Sequence, residues 1–173
     1  LLYFDCFSGL AEDMTLGALI DLGVDAGELE AALQTLPLPE WRLEVGETRK
    51  HGIRGVNVHV VVGGHIEGGP GSEHGPHHHY AEIMSVIGGG ALPQPVVAAA
   101  RQAFELIALA EAKVHGVPKE AVHFHEVGAV DSVIDIVGSA YGIWKLAVDR
   151  ISAAPLPLGR GFVRTAHGRM PLP

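Results

Sequence analysis

Apolar residues recur with two different periods along the chain, and the two periods predict strands and helices in alternation. Residues 1–7 form a short apolar run that is typical of a buried strand. Over residues 41–62 apolar and polar residues largely alternate, with Lys50-His51-Gly52 in the middle. This pattern predicts an antiparallel strand pair with one solvated face. Shorter extended segments are predicted at 122–127, 150–154 and 162–165.

Apolar positions three or four residues apart predict the helices. Asp13 stands where a helix N-cap is expected, and Leu16 and Leu19 follow at helical spacing before Gly23, a residue that favours a helix end. Further helices are predicted at 26–36, 80–87, 94–116 and 130–148. Because strands and helices alternate, we expect one α/β domain over residues 1–173, a two-layer sandwich with a mixed sheet.

The segment 63–80 has a separate composition, with six glycines, two prolines and five histidines. It has too little apolar surface to pack, which predicts a flexible loop. Neutral imidazoles on such a loop can wrap Ni²⁺, Zn²⁺ or Cu²⁺. The candidate metal ligands here are His74, His77, His78 and His79. A solubilising linker is the alternative interpretation.

A second group of polar residues follows in an apolar frame. On a strand, His123 and His125 would point to the same face, as two nitrogen ligands of a divalent metal do. Glu126 follows, and Asp131 and Asp135 share one face of the next helix. Two neighbouring carboxylates repel each other, and a metal or a basic substrate group would relieve that repulsion. Alternatively, the histidines are core residues and Asp131 favours the helix start.

Two further stretches carry candidate substrate-binding residues. Asp5 and Asp13 flank a glycine turn between the first strand and helix, where they could ligate Mg²⁺ or where Asp13 could merely cap. Near the end of the chain, Arg160 and Arg169 neighbour glycines and could contact a phosphate. His167 belongs to the same stretch. Exposed arginines that are simply solvated are the alternative.

Composition excludes several classes of function. The formal net charge is −8 with only 12 Lys and Arg, and no basic stripe is present, so a nucleic-acid partner is not expected. No apolar run could span a bilayer. The single cysteine, Cys6, and the lack of a signal-peptide pattern predict a cytoplasmic protein. A chain that begins without Met and stops at Pro173 is expected to be a fragment.

Three motifs, in this order, resemble those of the LarC family of nickel insertion proteins. The resemblance covers essentially the whole chain, with a histidine-rich segment in the expected gap. The string from His123 to Ser132 is specific to that family. The motifs are Asp5-Cys6-Phe7-Ser8-Gly9 with Asp13-Met14, His123-Phe124-His125-Glu126-Val127-Gly128-Ala129-Val130-Asp131-Ser132, and Pro155-Leu156-Pro157-Leu158-Gly159 with Ala166-His167-Gly168-Arg169.

This resemblance implies CTP-dependent insertion of nickel into a dithiolated pyridinium mononucleotide. It also implies a C-terminal domain, absent from this chain, that binds CTP with Mg²⁺ or Mn²⁺, and a homo-oligomer in the full-length protein. Nickel capture would fall to the histidines. Glu126, Asp131 and His125 are the candidates for accepting the proton that leaves the pyridinium carbon.

One departure from the family pattern affects the first motif. Members usually read Ser-Gly-Leu/Ile-Ser-Gly-Asp-Met, whereas this chain has Leu10-Ala11-Glu12 before Asp13. The second glycine and its hydroxyl neighbour are lost, and Glu12 would repel an anion, which argues against phosphate binding at this turn. Two alternative functions stay open: a nickel store or metallochaperone, and a metal-dependent phosphohydrolase using Asp5, Asp13, His123 and Asp131.

Overall fold

A computed structural model of the chain describes residues 1–66, 79–124, 127, 129–165 and 168–172. Helices and strands alternate along these residues, which confirms the α/β class. The helices are α1 Glu12–Asp21, α2 Ala26–Leu33, α3 Tyr80–Gly89, α4 Gln94–His115 and α5 Val130–Lys145, with a 3-10 turn at Lys119–Ala121. The strands are β1 Leu2–Phe4, β2 Trp41–Lys50, β3 Ile53–Val62, β4 His65–Ile66, β5 Ile151–Ala153, β6 Gly161–Thr165 and β7 Gly168–Leu172.

The strands of the described residues form three separate sheets rather than the single mixed sheet that the sequence predicts. β1 pairs in parallel with β5, β2, β3 and β4 form an antiparallel sheet, and β6 and β7 form an antiparallel hairpin. A period of two fixes which side chains share a face, but it does not select the neighbouring strand. The hairpins pair through short turns, whereas β1 finds its parallel partner only after α5.

The long β2–β3 hairpin confirms the predicted antiparallel pair. Its register runs from Trp41 opposite Val62 to Lys50 opposite Ile53. Only two residues connect the strands, and both have positive φ: 51° at His51 and 84° at Gly52. A two-residue turn with two positive φ values matches the right-handed twist of the strands, which is why this segment turns back sharply.

Helix α5 lies at the centre of the apolar core. It contacts α1, α2, α4 and β3. It is amphipathic, and its buried residues include Val133, Ile134 and Val137. Two of its glycines let α1 approach: a Cβ at Gly142 would lie 3.0 Å from Leu19 Cδ1. The core therefore holds α5 on several sides, and its remaining face is well fixed for carrying polar groups.

Helix α1 packs between α5 and β3, and a third glycine, Gly17, permits its close approach to β3. A Cβ at Gly17 would lie 2.6 Å from the carbonyl oxygen of Val56, far inside a normal contact. The helix begins at Glu12, with Ala11 as its N-cap. The prediction that Asp13 is the N-cap is therefore wrong; Asp13 lies in the first turn, and its carboxylate accepts a hydrogen bond from the N–H of Met14 (2.8 Å).

Several other boundaries differ from the prediction. α2 ends at Leu33 rather than at 36, and α5 ends at Lys145 rather than at 148. The strand predicted at 122–127 is not formed by residues 122–124, of which only His123 makes a single bridge. α4 and its glycine stop agree with the prediction, since Gly116 has φ 67°. In the described part of the chain, the helices are too short or too polar to cross a membrane.

Candidate functional site

Two histidines from different predicted clusters come together at the surface. His79, the residue before α3, forms an antiparallel backbone bridge with His123. Their rings meet edge to face, with centroids 4.7 Å apart and planes inclined by 60°. Both side chains are exposed. The structure thus joins the end of the histidine-rich segment to the His-Phe-His motif.

The burial of its neighbours fixes the direction of His123. Val122 and Phe124 are both buried, and Phe124 packs against Phe104 of α4 with ring centroids 6.2 Å apart. With a buried residue on each side, the side chain of His123 is directed to the surface. The two-residue period therefore acts here without a continuous strand.

The start of α3 holds His79 in a similar way. The carboxylate of Glu82 accepts a hydrogen bond from the backbone N–H of His79 (2.9 Å), as in a helix capping box. The N–H of Tyr80 donates to the carbonyl of Val122 (3.4 Å). Nearby, Lys119 lies 5.7 Å from the centre of the Tyr80 ring and pairs with Glu105. Backbone hydrogen bonds therefore hold the main chain that carries the two imidazoles.

The separation of the two ring centroids is compatible with binding to one metal ion. An imidazole nitrogen binds a divalent metal at about 2.0–2.1 Å, so two rings bound at right angles would have centroids about 4.5 Å apart. The observed 4.7 Å is close to that value. Two imidazoles do not complete a coordination shell. Among the described residues, no three His, Cys, Asp or Glu side chains lie close enough together to hold a metal ion.

A second feature is an acidic face on α5. Asp135 is only 7% exposed, and its Oδ1 has no hydrogen-bond partner among the described residues. Burial, and then the negative charges of Glu12, Asp131 and Asp13, raise the pKa of Asp135 to about 8. Burial and the charges of Asp131 and Asp13 also raise the pKa of Glu12. The predicted shared face of Asp131 and Asp135 is thus real, and α1 adds further acidic groups to it.

These carboxyls lie beside a cavity of about 530 Å³. Glu12 and Asp135 both line it, together with the hydroxyl residues Thr15 and Ser139. Its other walls are apolar and come from α4, α5 and the residues before α1: Leu10, Ala11, Ala99, Ala103, Ile136, Ala140 and Ile143. A cavity of this size is typical of small-molecule sites. The lining of the cavity includes two acidic groups and, among the described residues, no basic group.

The remaining predicted site residues are scattered or not described. Asp5 and Asp13 are exposed, and Arg160 is exposed in the loop before β6. The Arg169 guanidinium lies 4.0 Å from the centre of the Phe162 ring within the β6–β7 hairpin, a cation–π contact. The other predicted residues fall outside the described residues: His74, His77, His78, His125, Glu126 and His167.

The sequence interpretation missed part of this arrangement. It noted Asp135 as a neighbour of Asp131, but it did not select it as a site residue, and it treated Glu12 only as a departure from a motif. The available signal was the helical spacing of the two aspartates. The cavity depends on the small side chains of Ala99 and Ala103 on α4, and no periodicity in the sequence pairs those alanines with α5.

Comparison with known proteins gives consistent results. A sequence model of the family described as nickel insertion protein matches residues 2–173. A pyridinium-3,5-bisthiocarboxylic acid mononucleotide nickel insertion protein of Geobacillus kaustophilus is 46% identical over 100% of this chain and 42% of its own length. A protein of the same name from Desulfitobacterium hafniense is 43% identical over 99% of the chain and 40% of its own length. The chain thus spans about two fifths of these curated relatives. No solved structure matches it.

Proposed function

Because this chain belongs to the family of nickel insertion proteins, we propose that it captures Ni²⁺ through His79 and His123 and supplies the ion for insertion into a pyridinium mononucleotide. The observation that carries this proposal is the edge-to-face pair of exposed imidazoles, 4.7 Å apart. Imidazole nitrogen is a ligand that suits nickel. Nickel is the cargo of this reaction, which explains a site that is open at the surface and can release the ion.

The location of the pair supports delivery rather than storage. His123 precedes α5 by a short segment, and α5 carries the carboxyl face of Asp131 and Asp135. A captured ion would therefore lie on the same motif that carries the acidic groups. His74, His77 and His78 are proposed as a first collecting segment that passes the ion to this pair.

The proposal is tested by calorimetric titration of Ni²⁺ into the chain and into a His79→Ala/His123→Ala variant. Loss of outer-shell partners of a metal site typically costs 10–100-fold in affinity, so loss of two ligands should weaken binding by at least about tenfold. A His51→Asn/His115→Gln variant is the matched control, because it also removes two imidazoles. His51 lies in the turn between β2 and β3, and His115 is the last residue of α4.

Each outcome separates the candidate functions. An unchanged titration in the His79→Ala/His123→Ala variant would contradict the proposal. If binding then disappears in a His74→Ala/His77→Ala/His78→Ala variant, the chain is a nickel store that uses the histidine-rich segment alone. The phosphohydrolase alternative has no support in the described geometry, since Asp5 and Asp13 are exposed and no acidic metal cluster forms there.

For the longer protein we further propose that insertion depends on CTP, held with Mg²⁺ or Mn²⁺ in a domain beyond this chain. We place the reaction in the cytoplasm and in a homo-oligomer. Glu126, Asp131 and His125 are the proposed proton acceptors when the metal–carbon bond forms.

In the longer protein, Glu126→Gln is expected to lower the rate of nickel insertion by about 100-fold, within the usual range for a general base. The rate is followed by single-turnover assays, and an unchanged rate would remove Glu126 from this role.

A further inference from the structure

The β6–β7 hairpin concentrates positive charge in a chain that is otherwise strongly acidic. Residues 150–173 contain four arginines and no Asp or Glu. Since the whole chain carries −8 and these arginines carry +4, residues 1–149 carry −12. Among the described residues, the main contacts of the hairpin are between its own two strands. Its charged side chains are therefore open to a ligand of opposite charge.

Two of these arginines face each other across the hairpin. Arg164 on β6 lies directly opposite Arg169 on β7, and both residues are exposed. Like charges at opposite positions destabilise a strand pair. On the β2–β3 hairpin, Arg42, Arg49 and Arg54 each pair with a carboxylate, whereas no acidic side chain in the described part of the chain pairs with Arg164 or Arg169. A bound anion would remove the repulsion between the two guanidinium groups.

An aromatic ring on the same face of the hairpin orients one of the arginines. The Arg169 guanidinium lies over the Phe162 ring, 4.0 Å from its centre. A guanidinium held in this way keeps the N–H donors at its edge available for an anion. We propose that Arg164 and Arg169 together bind a phosphoryl group, and that Phe162 is the residue that positions Arg169.

The geometry favours a phosphoryl group over other anions. One guanidinium fork is enough for the two oxygens of a carboxylate, whereas a phosphoryl group has three oxygens and can accept from two forks at once. A long polyanion such as RNA would also approach the rest of the chain, where residues 1–149 repel it with a net charge of −12. The arrangement therefore fits a small phosphorylated molecule.

Two compounds of the proposed reaction carry phosphoryl groups: the mononucleotide and the nucleoside triphosphate. The choice between them rests on the proposed function, whereas the phosphoryl class rests on the hairpin alone. A mononucleotide offers a single phosphoryl group, and a triphosphate offers three in a row. The two sources are therefore separable by comparing their affinities for the same arginines.

The first probe is inorganic phosphate, titrated at constant ionic strength so that general screening does not change. Binding is followed by the Nε–H NMR signals of Arg164 and Arg169, with Arg42 as the reference arginine. We expect saturable shifts at the two hairpin arginines. Acetate is expected to bind at least about fivefold more weakly, because it satisfies only one fork. Absence of shifts with phosphate, or equal affinity for acetate, would overturn the proposal.

Three substitutions test the arginines. Arg164→Gln and Arg169→Gln are each expected to reduce the affinity for phosphate by about tenfold, the usual effect of losing a hydrogen bond to a charged group. Arg49→Gln is the control, because it makes the same change in net charge at an arginine that already pairs with Glu47. It should change the affinity less than twofold. Since Arg164→Gln and Arg169→Gln remove a repulsion, neither is expected to unfold the hairpin.

A fourth substitution, Phe162→Leu, separates a positioned site from simple attraction between charges. It keeps the net charge but removes the ring beneath Arg169. Loss of an exposed cation–π contact should weaken phosphate binding by about two- to fivefold. If Phe162→Leu has no effect and the three arginine variants weaken binding equally, the hairpin attracts anions only through its net charge, and the proposal is wrong.

Nucleotides identify the source of the phosphoryl group. Cytidine, which has no phosphate, should leave the arginine signals unchanged, and shifts equal to those with cytidine 5′-monophosphate would contradict the proposal. Affinity for cytidine 5′-triphosphate at least about tenfold above that for the monophosphate would assign the site to the triphosphate. Similar affinities would assign it to the mononucleotide. Because Ni²⁺ binding at His79 and His123 is measured separately, loss of either kind of binding leaves the other proposal standing.

Discussion

Replacing Gly17 by alanine is expected to lower the free energy of unfolding by about 1–2 kcal/mol. The new Cβ would lie 2.6 Å from the carbonyl oxygen of Val56 on β3, so α1 or β3 would have to move. Overpacking of this kind typically costs about 1–3 kcal/mol and sometimes more, against a gain of up to about 1 kcal/mol from the better helix former. The melting temperature should fall by roughly 2–8 °C, which calorimetry or circular dichroism would measure.

The surroundings of α1 explain why little relaxation is available. On its other side, Leu16 and Leu19 are already in close contact with Gly138 and Gly142 of α5, at 3.0 Å from an idealised Cβ in each case. The control is Gly27→Ala in α2, where the added Cβ meets only the Asp25 carboxylate at 3.4 Å. That change should raise stability by about 0.5–1 kcal/mol. Equal effects of the two substitutions would refute the close approach of α1 to β3.

Replacing Asp135 by asparagine is expected to change how stability depends on pH. In the folded chain the pKa of Asp135 is raised from 3.8 to about 8, mainly by burial. Between about pH 4 and pH 8 the folded chain therefore holds a proton that the unfolded chain has lost. Stability contributed by this group falls as pH rises through that window, and it is constant above about pH 8. The loss is of the order of a few kcal/mol.

The Asp135→Asn variant lacks this dependence, which makes the slope the decisive readout. The amide of the variant must also be accommodated in a buried site. At pH 4 we therefore expect the free energy of unfolding of the variant to be lower than that of the parent chain by at most about 1–3 kcal/mol. By pH 8 the order should reverse. Urea unfolding at several pH values would measure both curves, with Asp149→Asn as the control for net charge. Parallel curves for Asp135→Asn and the parent would rule out a buried, proton-holding Asp135.

The long elements could be predicted because their pattern and their end signals agree. α4 has regular apolar spacing and stops at Gly116, and the β2–β3 pair alternates around a two-residue turn. The failures occur where tertiary contacts decide. Val122 and Phe124 alternate in burial with His123 just as strand residues do, yet this segment has only one bridge partner. Asp13 is a good capping residue, but the chain enters the helix two residues earlier, at Ala11.

The candidate site shows the same limit. The two-residue period predicted that His123 and His125 share a face, which stays a prediction because His125 lies outside the described residues, and the resemblance to a known family identified the motif. Neither could place His79 beside His123, because that contact joins two segments distant in sequence. Likewise, the spacing of Asp131 and Asp135 predicted a shared acidic face, but the cavity over Asp135 arises from the packing of α4 and α1. Periodicity predicts the direction of a side chain and leaves its distant neighbours undetermined.

The bridge between His79 and His123 also links cargo loading to the order of folding. The two residues are 44 positions apart in sequence, so they meet only after α3 has formed and the segment before α5 has docked on it. An ion held by both rings would bind the folded chain and not its unfolded form, and would stabilise it in proportion to the logarithm of the nickel concentration above the dissociation constant. Newly made chains would therefore bind nickel at this pair of histidines only after this part of the core has folded. Occupancy by the metal would then report that folding is complete.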